Sequence, residues 1–383
     1  MRRALPERIA INAVFLLPGM GGLDTYVREL VGELVAAAPS TRFTVYCSPA
    51  GREHLARTSW AQEVTLTSHP LFGTPGLKAI TELTVLGALA SWQADLLHSV
   101  ALTAPLRTRA VNILTIADTT WLTGAAIDNT TRLWRLVVPP VARRADRLIA
   151  ISQAGASDIR RHLGIPADRI DVTLLGHSVS LPDVPPDHSA VRARFGLGAG
   201  PLVLNVGTRK PHKNVLGLVR AMAEVTAQFP DARLVLAGNA TRHEAELQAE
   251  VARLGLGASV TFLPFVSNAD LERLYAEAEC FVMASFNEGF GLPLLEAMGR
   301  GIPVASSNAS ALPEVAGDAA LLFDPYKPAT IAARIIELLR SPARRQELKA
   351  RGRARAARLT WAATAEATLE SYARAWTSRR PRP

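Results

Sequence analysis

Short runs of Val, Ile and Leu, apolar at consecutive positions, alternate with amphipathic segments along this chain of 383 residues. Such runs are typical of parallel strands buried on both faces. The predicted strands are residues 9–17, 43–47, 112–117, 148–152, 202–207, 234–238, 260–263, 281–284 and 304–306. The first amphipathic segment has a helical period, with apolar side chains at Leu23, Tyr26, Val27, Leu30, Val31, Leu34 and Val35. The pattern therefore predicts an α/β protein with parallel sheets.

The alternation is interrupted once, near residues 180–200, where Pro182, Pro185 and Pro186 stand in a polar stretch. Proline removes backbone donors and disfavours helix, as expected of a linker. We therefore predict a first domain over residues 1–180, a linker over 181–200 and a second domain over 201–360. Residues 361–383 form a C-terminal segment. Because ligands of parallel sheets bind at the carboxyl ends of strands, the loops that follow strands are where we expect the chemistry.

Two cysteines, Cys47 and Cys280, lie far apart in apolar stretches. This excludes a disulfide scaffold and a zinc knuckle and favours a reducing compartment. The longest apolar stretch beyond the first strand, residues 83–92, has about half the length needed to cross a bilayer. We therefore expect a cytoplasmic protein, with peripheral contact at the inner face of the membrane as an open alternative.

The net charge is +9, from 43 Lys and Arg against 34 Asp and Glu, and only five of the cations are lysines. Most of the excess lies in residues 341–383, which hold 11 cations and three anions. Two interpretations stay open for this segment: a solvated helical face, or a docking strip for anionic lipid. A nucleic-acid partner is disfavoured, since no basic stretch is interleaved with aromatic residues.

Two glycine-containing loops follow predicted strands. In the first, Gly21 and Gly22 would let backbone amides approach a phosphate or sugar at the start of a helix; a tight turn is the alternative. The second runs from Gly207 to Asn214 and holds Lys210 and Lys213. An exposed basic turn is its alternative, but cations at the carboxyl end of a strand would suit a diphosphate.

The most specific motif is Phe-Asn-Glu-Gly-Phe-Gly-Leu-Pro-Leu-Leu-Glu, residues 286–296. It runs from a predicted strand through a glycine loop into a helix predicted to begin around Pro293. Glu288 lies in the loop and Glu296 near the helix start, so both can face one ligand. Singly, each is explained as a turn carboxylate or an acid at a helix N-terminus; together they predict a ligand site.

This motif, with Gly-Ile-Pro-Val-Ala at 301–305 and Leu-Pro-Glu-Val-Ala-Gly at 312–317, resembles the retaining nucleotide-sugar glycosyltransferases of family 4. Within that family the chain is most similar to mannosyltransferase-like polysaccharide enzymes. The resemblance covers nearly the whole chain. It implies the GT-B fold, in which two Rossmann-like domains face a cleft and a C-terminal helix crosses back to the first domain.

The resemblance also implies residue roles. Glu296 would bind the ribose hydroxyls and Glu288 the hydroxyls of the transferred sugar. Lys213 matches the lysine that neutralises the diphosphate. The backbone amides of three further residues would hold the diphosphate or the sugar, namely Phe290, Gly291 and Leu292.

The chain departs from the family pattern at two places. Thr208 follows the glycine of the basic loop, where the family has an arginine, so either Arg209 or Lys210 would take that role. Ala117 replaces a histidine before Asp118, which leaves Asp118 to orient the acceptor or sugar. His98 ends a further strand, which the sequence Asp-Leu-Leu-His-Ser at residues 95–99 predicts. Both a structural role and a position facing the cleft are open for it.

The family's front-face mechanism needs no protein base, because a phosphate oxygen of the leaving group takes the acceptor proton. No Asp-X-Asp motif stands where a sugar nucleotide would need a metal. We therefore expect transfer with retention, without a metal or other cofactor. The donor would be GDP-mannose or another GDP- or UDP-linked hexose, and the acceptor a saccharide, glycolipid or natural product.

Other activities compatible with the same fold are a sugar-nucleotide epimerase and a phosphorylase. A phosphorylase needs a lysine that carries a cofactor, and the five lysines are poorly placed for one. A non-catalytic protein that binds nucleotide sugars is the alternative outside enzymes, because Thr208 and Ala117 depart from the family pattern.

Overall fold

The computed structural model describes residues 4–17, 21–74, 78–123, 129–177, 188–264 and 266–378. The chain divides into two compact units. The first unit comprises Met1–Gly176 and Leu359–Pro383, and the second comprises His177–Arg358. The second unit includes the whole stretch 181–200 that was predicted as a linker.

In the described part of the first unit, seven parallel strands form one sheet in the order β3-β2-β1-β4-β5-β6-β7. The strands are β1 Arg8–Ala13, β2 Arg42–Cys47, β3 Thr65–Ser68, β4 Leu96–Ser99, β5 Val111–Ile116, β6 Arg147–Ala150 and β7 Ile170–Val172. The central strands are buried on both faces, as their continuous apolar sequences predict. The sequence did not predict β3 and β7, because β3 is polar and only partly buried and β7 has three residues.

The helices of the first unit cover its sheet. They are α1 Gly22–Ala37, α2 Pro49–Leu55, α3 Lys78–Leu83, α4 Val85–Gln93, α5 Thr120–Thr123, α6 Asn129–Arg144 and α7 Gln153–Leu163. Helix α1 buries the apolar stripe that its sequence predicts, from Tyr26 to Val35. In α4, part of the apolar stretch 83–92, Leu86 and Ala90 are buried whereas Trp92 is exposed.

The last helix of the chain completes the first unit. Helix α16, Trp361–Thr377, packs against α1, β5 and β6. It is tied to the sheet through Asp171, which accepts a hydrogen bond from Ser371 at 2.6 Å and pairs with Arg374 at 3.1 Å. The C-terminal helix therefore returns to the first domain, as the resemblance implies.

His98 lies inside this unit and has a structural role there. Its imidazole is fully buried, with Nδ1 2.7 Å from the Tyr372 hydroxyl and Nε2 2.7 Å from Thr115 Oγ1. Burial lowers the pKa of His98 to about 3, so that the ring is neutral in the folded protein. Of the two interpretations of His98, the structure supports the structural one.

In the described part of the second unit, six parallel strands form a sheet in the order β10-β9-β8-β11-β12-β13. The strands are β8 Leu202–Val206, β9 Arg233–Ala237, β10 Val260–Leu263, β11 Cys280–Met283, β12 Val304–Ser307 and β13 Ala320–Phe323. All but β13 were predicted, with bounds within one residue. Their side chains pack with those of the covering helices into one apolar core.

The helices of the second unit are α8 His188–Phe195, α9 Val215–Gln228, α10 Glu244–Arg253, α11 Asn268–Glu277, α12 Leu292–Gly299, α13 Leu312–Ala316, α14 Pro328–Arg340 and α15 Pro342–Ala356. Helix α8 falls within residues 181–200, which the sequence predicted as a linker. Arg192 of α8 pairs with Glu277 and donates to two backbone oxygens, of Gly198 and Gly200. The three prolines that suggested a linker lie outside the described residues.

Several arginines of the basic C-terminal segment contact other helices of the second unit. Arg345 of α15 donates to the carbonyls of Leu338 and Leu339 at the end of α14. Arg355 donates to the carbonyls of Glu314 and Val315 in α13. These guanidinium groups stabilise helix C-terminal ends, which carry partial negative charge. Neither of the two interpretations of this segment includes that role.

None of the described helices combines the length and the apolar character that a membrane span requires.

Candidate functional site

The loop after β8 carries the predicted cationic site. Residues 211–213 form a 3₁₀ turn, and Asn214 ends it with a left-handed backbone, φ 53°. The Asn214 side chain donates to the carbonyls of Ala284 and Pro325 and accepts from the Gly217 N–H group. Asparagine tolerates this conformation because its short side chain can form such bonds. The turn that carries Lys213 is thereby fixed to the loops after β11 and β13.

Lys213 reaches the loop after β11 and pairs with Glu288. Its Nζ lies 2.6 Å from Oε1 and 2.7 Å from Oε2 of the carboxylate. Ser285 donates a further hydrogen bond of 2.6 Å to Oε1. Glu288 is 8% exposed, so its charge is compensated at short range. The structure therefore brings together the lysine and one of the two glutamates that the sequence predicted as site residues.

The backbones of the two loops are also joined. The Phe286 N–H group donates to the His212 carbonyl at 2.8 Å. This bond joins the lysine loop to the segment that carries Glu288, two residues before that glutamate.

The glycine loop leads into helix α12, which begins at Leu292, one residue before the predicted start. Gly291 caps this helix with φ 107°, a region that favours glycine. A Cβ atom at Gly291 would lie 2.7 Å from the Leu312 side chain, which also excludes larger residues. The amides of Gly291 and Leu292 stand at the helix N-terminus, where N–H groups have no partner within the helix. Phe290 is buried beside them.

Glu296 lies one turn further along α12. The Tyr275 hydroxyl donates to Glu296 Oε2 at 3.3 Å. Burial raises the pKa of this carboxyl group, while the Arg300 guanidinium nearby opposes the increase. Arg300 itself stacks over the Tyr275 ring, 4.5 Å from its centroid, and pairs with Glu272. Glu296 is therefore a partly buried carboxylate that has only weak compensation.

Arg209, for which a catalytic role was predicted, is held by partners inside the protein. Its side chain is 1% exposed and pairs with Glu244 at 2.6 Å. The same guanidinium donates to the carbonyls of Leu236 and Gly238. Each of its side-chain nitrogens donates to a protein oxygen, so Arg209 links the loops after β8 and β9. Lys210 is exposed, and its ammonium has no ion-pair partner among the described residues.

The other predicted site residues are found as follows. Thr208 is partly buried, and its carbonyl accepts from the Lys210 N–H group. In the first unit, Gly21 caps α1 with φ 64° and Gly22 is the first residue of that helix, both exposed. Asp118 follows β5 and is also exposed, with its carboxylate accepting from the Thr120 N–H group at 2.7 Å.

A cavity of about 320 Å³ adjoins the lysine loop. Its wall includes Lys210, Asn214, Phe286 and Tyr326, and the last two rings stack 4.8 Å apart. Lys213, Glu288 and Glu296 are not among its lining residues. In the described part of the chain, no group of three His, Cys, Asp or Glu side chains could hold a metal ion.

Sequence reasoning missed the residues that support the two glutamates: Ser285, Tyr275, Arg300 and Ser310. Two of them are local: Ser285 lies three residues before Glu288, and Arg300 follows Glu296 by four residues at the end of α12. Tyr275 and Ser310 come from another helix and another loop, so that only the fold brings them to the site.

Two family models match the chain. Residues 191–355 match the model described as "Glycosyl transferases group 1", and residues 20–178 match that described as "Glycosyltransferase Family 4". Each stretch falls mainly within one of the two units.

Curated relatives show the same likeness. The chain is 36% identical over 233 residues to the O-antigen chain mannosyltransferase B of Escherichia coli, covering 60% of each protein. It is 32% identical over 265 residues to the D-inositol 3-phosphate glycosyltransferase of Segniliparus rotundus, covering 65% of this chain and 59% of that protein. The matched part thus spans about 60% of the length of these relatives.

Solved structures share the fold. HepE of Anabaena, in complex with UDP and glucose, superposes with a TM-score of 0.75 at 22% identity, over 95% of this chain and 98% of that chain. The sucrose-phosphate synthase of Thermosynechococcus elongatus gives a TM-score of 0.76 at 22% identity, over 97% and 100%. At this identity the likeness establishes the fold alone, which is the predicted GT-B fold.

Proposed function

Since the chain belongs to the group 1 glycosyltransferases of family 4, we propose that it transfers a hexose from a nucleoside diphosphate sugar to a hydroxyl group of an acceptor, with retention and without a metal. Mannose carried by GDP is the first candidate, because one of the relatives described above is named as an O-antigen chain mannosyltransferase. The acceptor would be a saccharide, a glycolipid or a natural product. A glycolipid acceptor would bring the protein to the inner face of a membrane.

The observation that carries this proposal is the pairing of Lys213 with Glu288 beside the N-terminal end of α12. A nucleoside diphosphate sugar presents both a dianionic group and a ring of hydroxyls. An ammonium group and backbone amides can donate hydrogen bonds to the diphosphate, and a carboxylate can accept them from the sugar hydroxyls. The site therefore offers both kinds of partner within one pair of joined loops.

Breaking the anomeric bond leaves positive charge on the sugar ring and negative charge on the departing diphosphate. The Lys213 ammonium and the amides of Gly291 and Leu292 would stabilise the diphosphate, since preorganised donors at a developing anion give a large part of catalysis. Glu288, released from Lys213, would accept hydrogen bonds from the sugar hydroxyls. Glu296 would accept from the ribose hydroxyls and hold the nucleoside.

No protein side chain is assigned as the base in this scheme. The acceptor hydroxyl would approach on the face from which the diphosphate leaves, and a phosphate oxygen would take its proton. The protein's contribution is then orientation of the acceptor and stabilisation of the leaving group. Asp118, exposed after β5, would orient the acceptor or the sugar.

The first experiment is a thermal-shift screen of the purified chain against GDP- and UDP-linked hexoses. A donor that binds the folded state raises Tm by mass action. The donor found in this way is then incubated with candidate acceptors, and the anomeric configuration of the product is read by NMR. An inverted product would contradict retention, and loss of all turnover in EDTA would contradict metal independence.

A donor-only incubation distinguishes the remaining alternatives. An epimerase would convert the donor sugar without an acceptor, and a non-catalytic binding protein would leave the donor intact with every acceptor. Donor hydrolysis or transfer would exclude the binding protein, and an unchanged sugar configuration would exclude the epimerase.

A further inference from the structure

Ser310 has a left-handed backbone, φ 56°, that non-glycine residues adopt uncommonly. It lies in the loop between β12 and α13, three residues after the strand ends. Glycine would satisfy this backbone without cost. What serine adds is its hydroxyl group, and the contacts of that group show what it does.

The Ser310 hydroxyl holds the main chain on both sides of the Glu288 Cα atom. Its Oγ lies 3.3 Å from the Glu288 backbone nitrogen, whose N–H group donates to it, and 2.7 Å from the Glu288 carbonyl oxygen. Asn287 Oδ1 lies 3.0 Å from the same atom. A hydroxyl has one proton and two lone pairs. It can therefore accept from the Glu288 N–H group while donating to one of the two oxygens.

Glu288 is thus tied in two independent ways. Its carboxylate is held by Lys213 and Ser285, and its backbone by Ser310. A diphosphate that binds Lys213 competes for the first of these partners. The backbone tie does not involve Lys213, so it persists when the ammonium group is engaged by the ligand.

We propose that Ser310 is a positioning residue that keeps the Glu288 backbone in place while its carboxylate turns from Lys213 to the donor sugar. This inference rests on the proposed function, in which Glu288 binds the sugar hydroxyls. Ser310 acts through Glu288 and makes no contact of its own with the reacting atoms.

Two variants distinguish the effect of the Ser310 hydroxyl group from the effect of its backbone conformation. Ser310→Ala removes the hydroxyl and leaves a side chain at the unfavourable φ, whereas Ser310→Gly removes the hydroxyl and also relieves the backbone. We expect both to lower kcat/KM about tenfold, the scale of one lost hydrogen bond, although Ser310→Gly has the higher Tm. If activity follows Tm instead, so that Ser310→Gly is restored to the wild-type rate, the inference is overturned.

A binding measurement shows where the effect acts. The nucleoside diphosphate lacks the sugar that Glu288 would bind, so we expect its Kd to be unchanged in both variants while turnover of the complete donor falls. An equal loss of nucleoside diphosphate binding would indicate general damage to the site and would overturn the positioning role.

A double-mutant cycle tests whether Ser310 acts through Glu288. If it does, Glu288→Gln alone lowers kcat/KM strongly and adding Ser310→Ala causes little further loss, since coupled residues are not additive. If the fold-losses of the two single variants instead multiply in the double variant, Ser310 acts independently of Glu288. Wild-type activity of Glu288→Gln would instead refute the proposed role of Glu288, and with it the basis of the inference.

The matched control is Asn308→Ala in the same loop. Asn308 is exposed, and its side chain makes no hydrogen bond within the described part of the chain. We expect wild-type kcat/KM, Tm and nucleotide affinity for this variant. Losses equal to those of the Ser310 variants would mean that any change in the loop has the same effect, and would overturn the specific role of the hydroxyl.

Discussion

The Lys213 ammonium lies within 2.7 Å of both carboxylate oxygens of Glu288, a residue 75 positions further along the chain. Each neutralises the other in a region where Glu288 is nearly buried. In the proposed function, a diphosphate would replace Glu288 as the partner of Lys213, and a sugar hydroxyl would replace Lys213 as a partner of Glu288. Binding of the donor would then exchange one set of charge-assisted hydrogen bonds for another and would leave neither charge buried without a partner.

Replacement of Lys213 should impair turnover more than it impairs folding. We expect Lys213→Ala to lower kcat/KM by roughly 10², because it removes a cation at the developing diphosphate anion. The measurement is steady-state kinetics with varied donor. Lys327→Ala is the matched control, since Lys327 lies in the same unit, is 71% exposed and, among the described residues, forms an ion pair with Asp324 alone. Near wild-type kinetics of Lys213→Ala would place the diphosphate elsewhere.

The affinity for nucleoside diphosphate should depend on the ionisation of Glu296. Burial raises the pKa of Glu296 above its ordinary 4.5, and only the ionised carboxylate forms charge-assisted bonds with ribose hydroxyls. Affinity should then increase as the pH rises through this pKa and level off above it. The Glu296→Gln variant should bind about tenfold more weakly at pH 8. Its affinity should keep only the pH dependence that comes from the terminal phosphate of the ligand, whose pKa is about 6.

Calorimetric titration between pH 5 and 8 measures both effects. The exposed Glu366, changed to Gln, is the control and should behave as the wild type. A Glu296→Gln protein with the pH profile of the wild type would show that another group titrates.

Replacement of Arg209 should impair folding more than turnover, which is the reverse of the expectation for Lys213. The Arg209–Glu244 pair is largely buried, and removal of one partner leaves the other charge uncompensated. We expect Arg209→Ala to lower the free energy of unfolding by about 3 kcal/mol, measured by urea denaturation. Below the unfolding transition, kcat should change much less than in Lys213→Ala. A loss of activity with unchanged stability would instead support the catalytic role that the sequence suggested.

Acid should destabilise the first unit through His98. Because burial lowers the pKa of His98 from 6.5 to about 3, the unfolded chain binds a proton between these pH values and the folded chain does not. The neutral His98 therefore contributes to the free energy of unfolding. This contribution is complete above pH 6.5 and decreases as the pH falls below that value, by about 1.4 kcal/mol per pH unit. Unfolding free energies at pH 7, 6 and 5 should therefore decrease more steeply in the wild type than in His98→Gln. Parallel pH dependences in the two proteins would contradict this.

The sequence predicted strands and helices well where one local pattern decides them. The bounds of the buried strands from β8 to β12 were predicted within one residue. Short continuous apolar runs are typical of parallel strands that are buried on both faces. The edge strand β3, with the sequence Thr-Leu-Thr-Ser, has no such run. It is a strand because β2 offers it hydrogen-bonding partners, and that is a property of the fold.

The same distinction applies to the site. Lys213, Glu288 and Glu296 were predicted because they belong to motifs that follow strands. Arg209 follows β8, as Lys213 does, but the orientation of its side chain depends on Glu244, which lies 35 residues further along the chain in α10. A loop sequence indicates that a cation is present, whereas the direction of its side chain depends on tertiary contacts that sequence patterns do not contain.

The return of α16 to the first unit has a consequence for synthesis of the protein on the ribosome. The first unit needs Asp171 to meet Ser371, 200 residues later. Its sheet can form early, but Asp171 and His98 gain their partners in α16 only after the intervening unit has been translated. The second unit, whose segments are contiguous, can fold first while the chain is still growing. The unit that is translated first is therefore the one completed last.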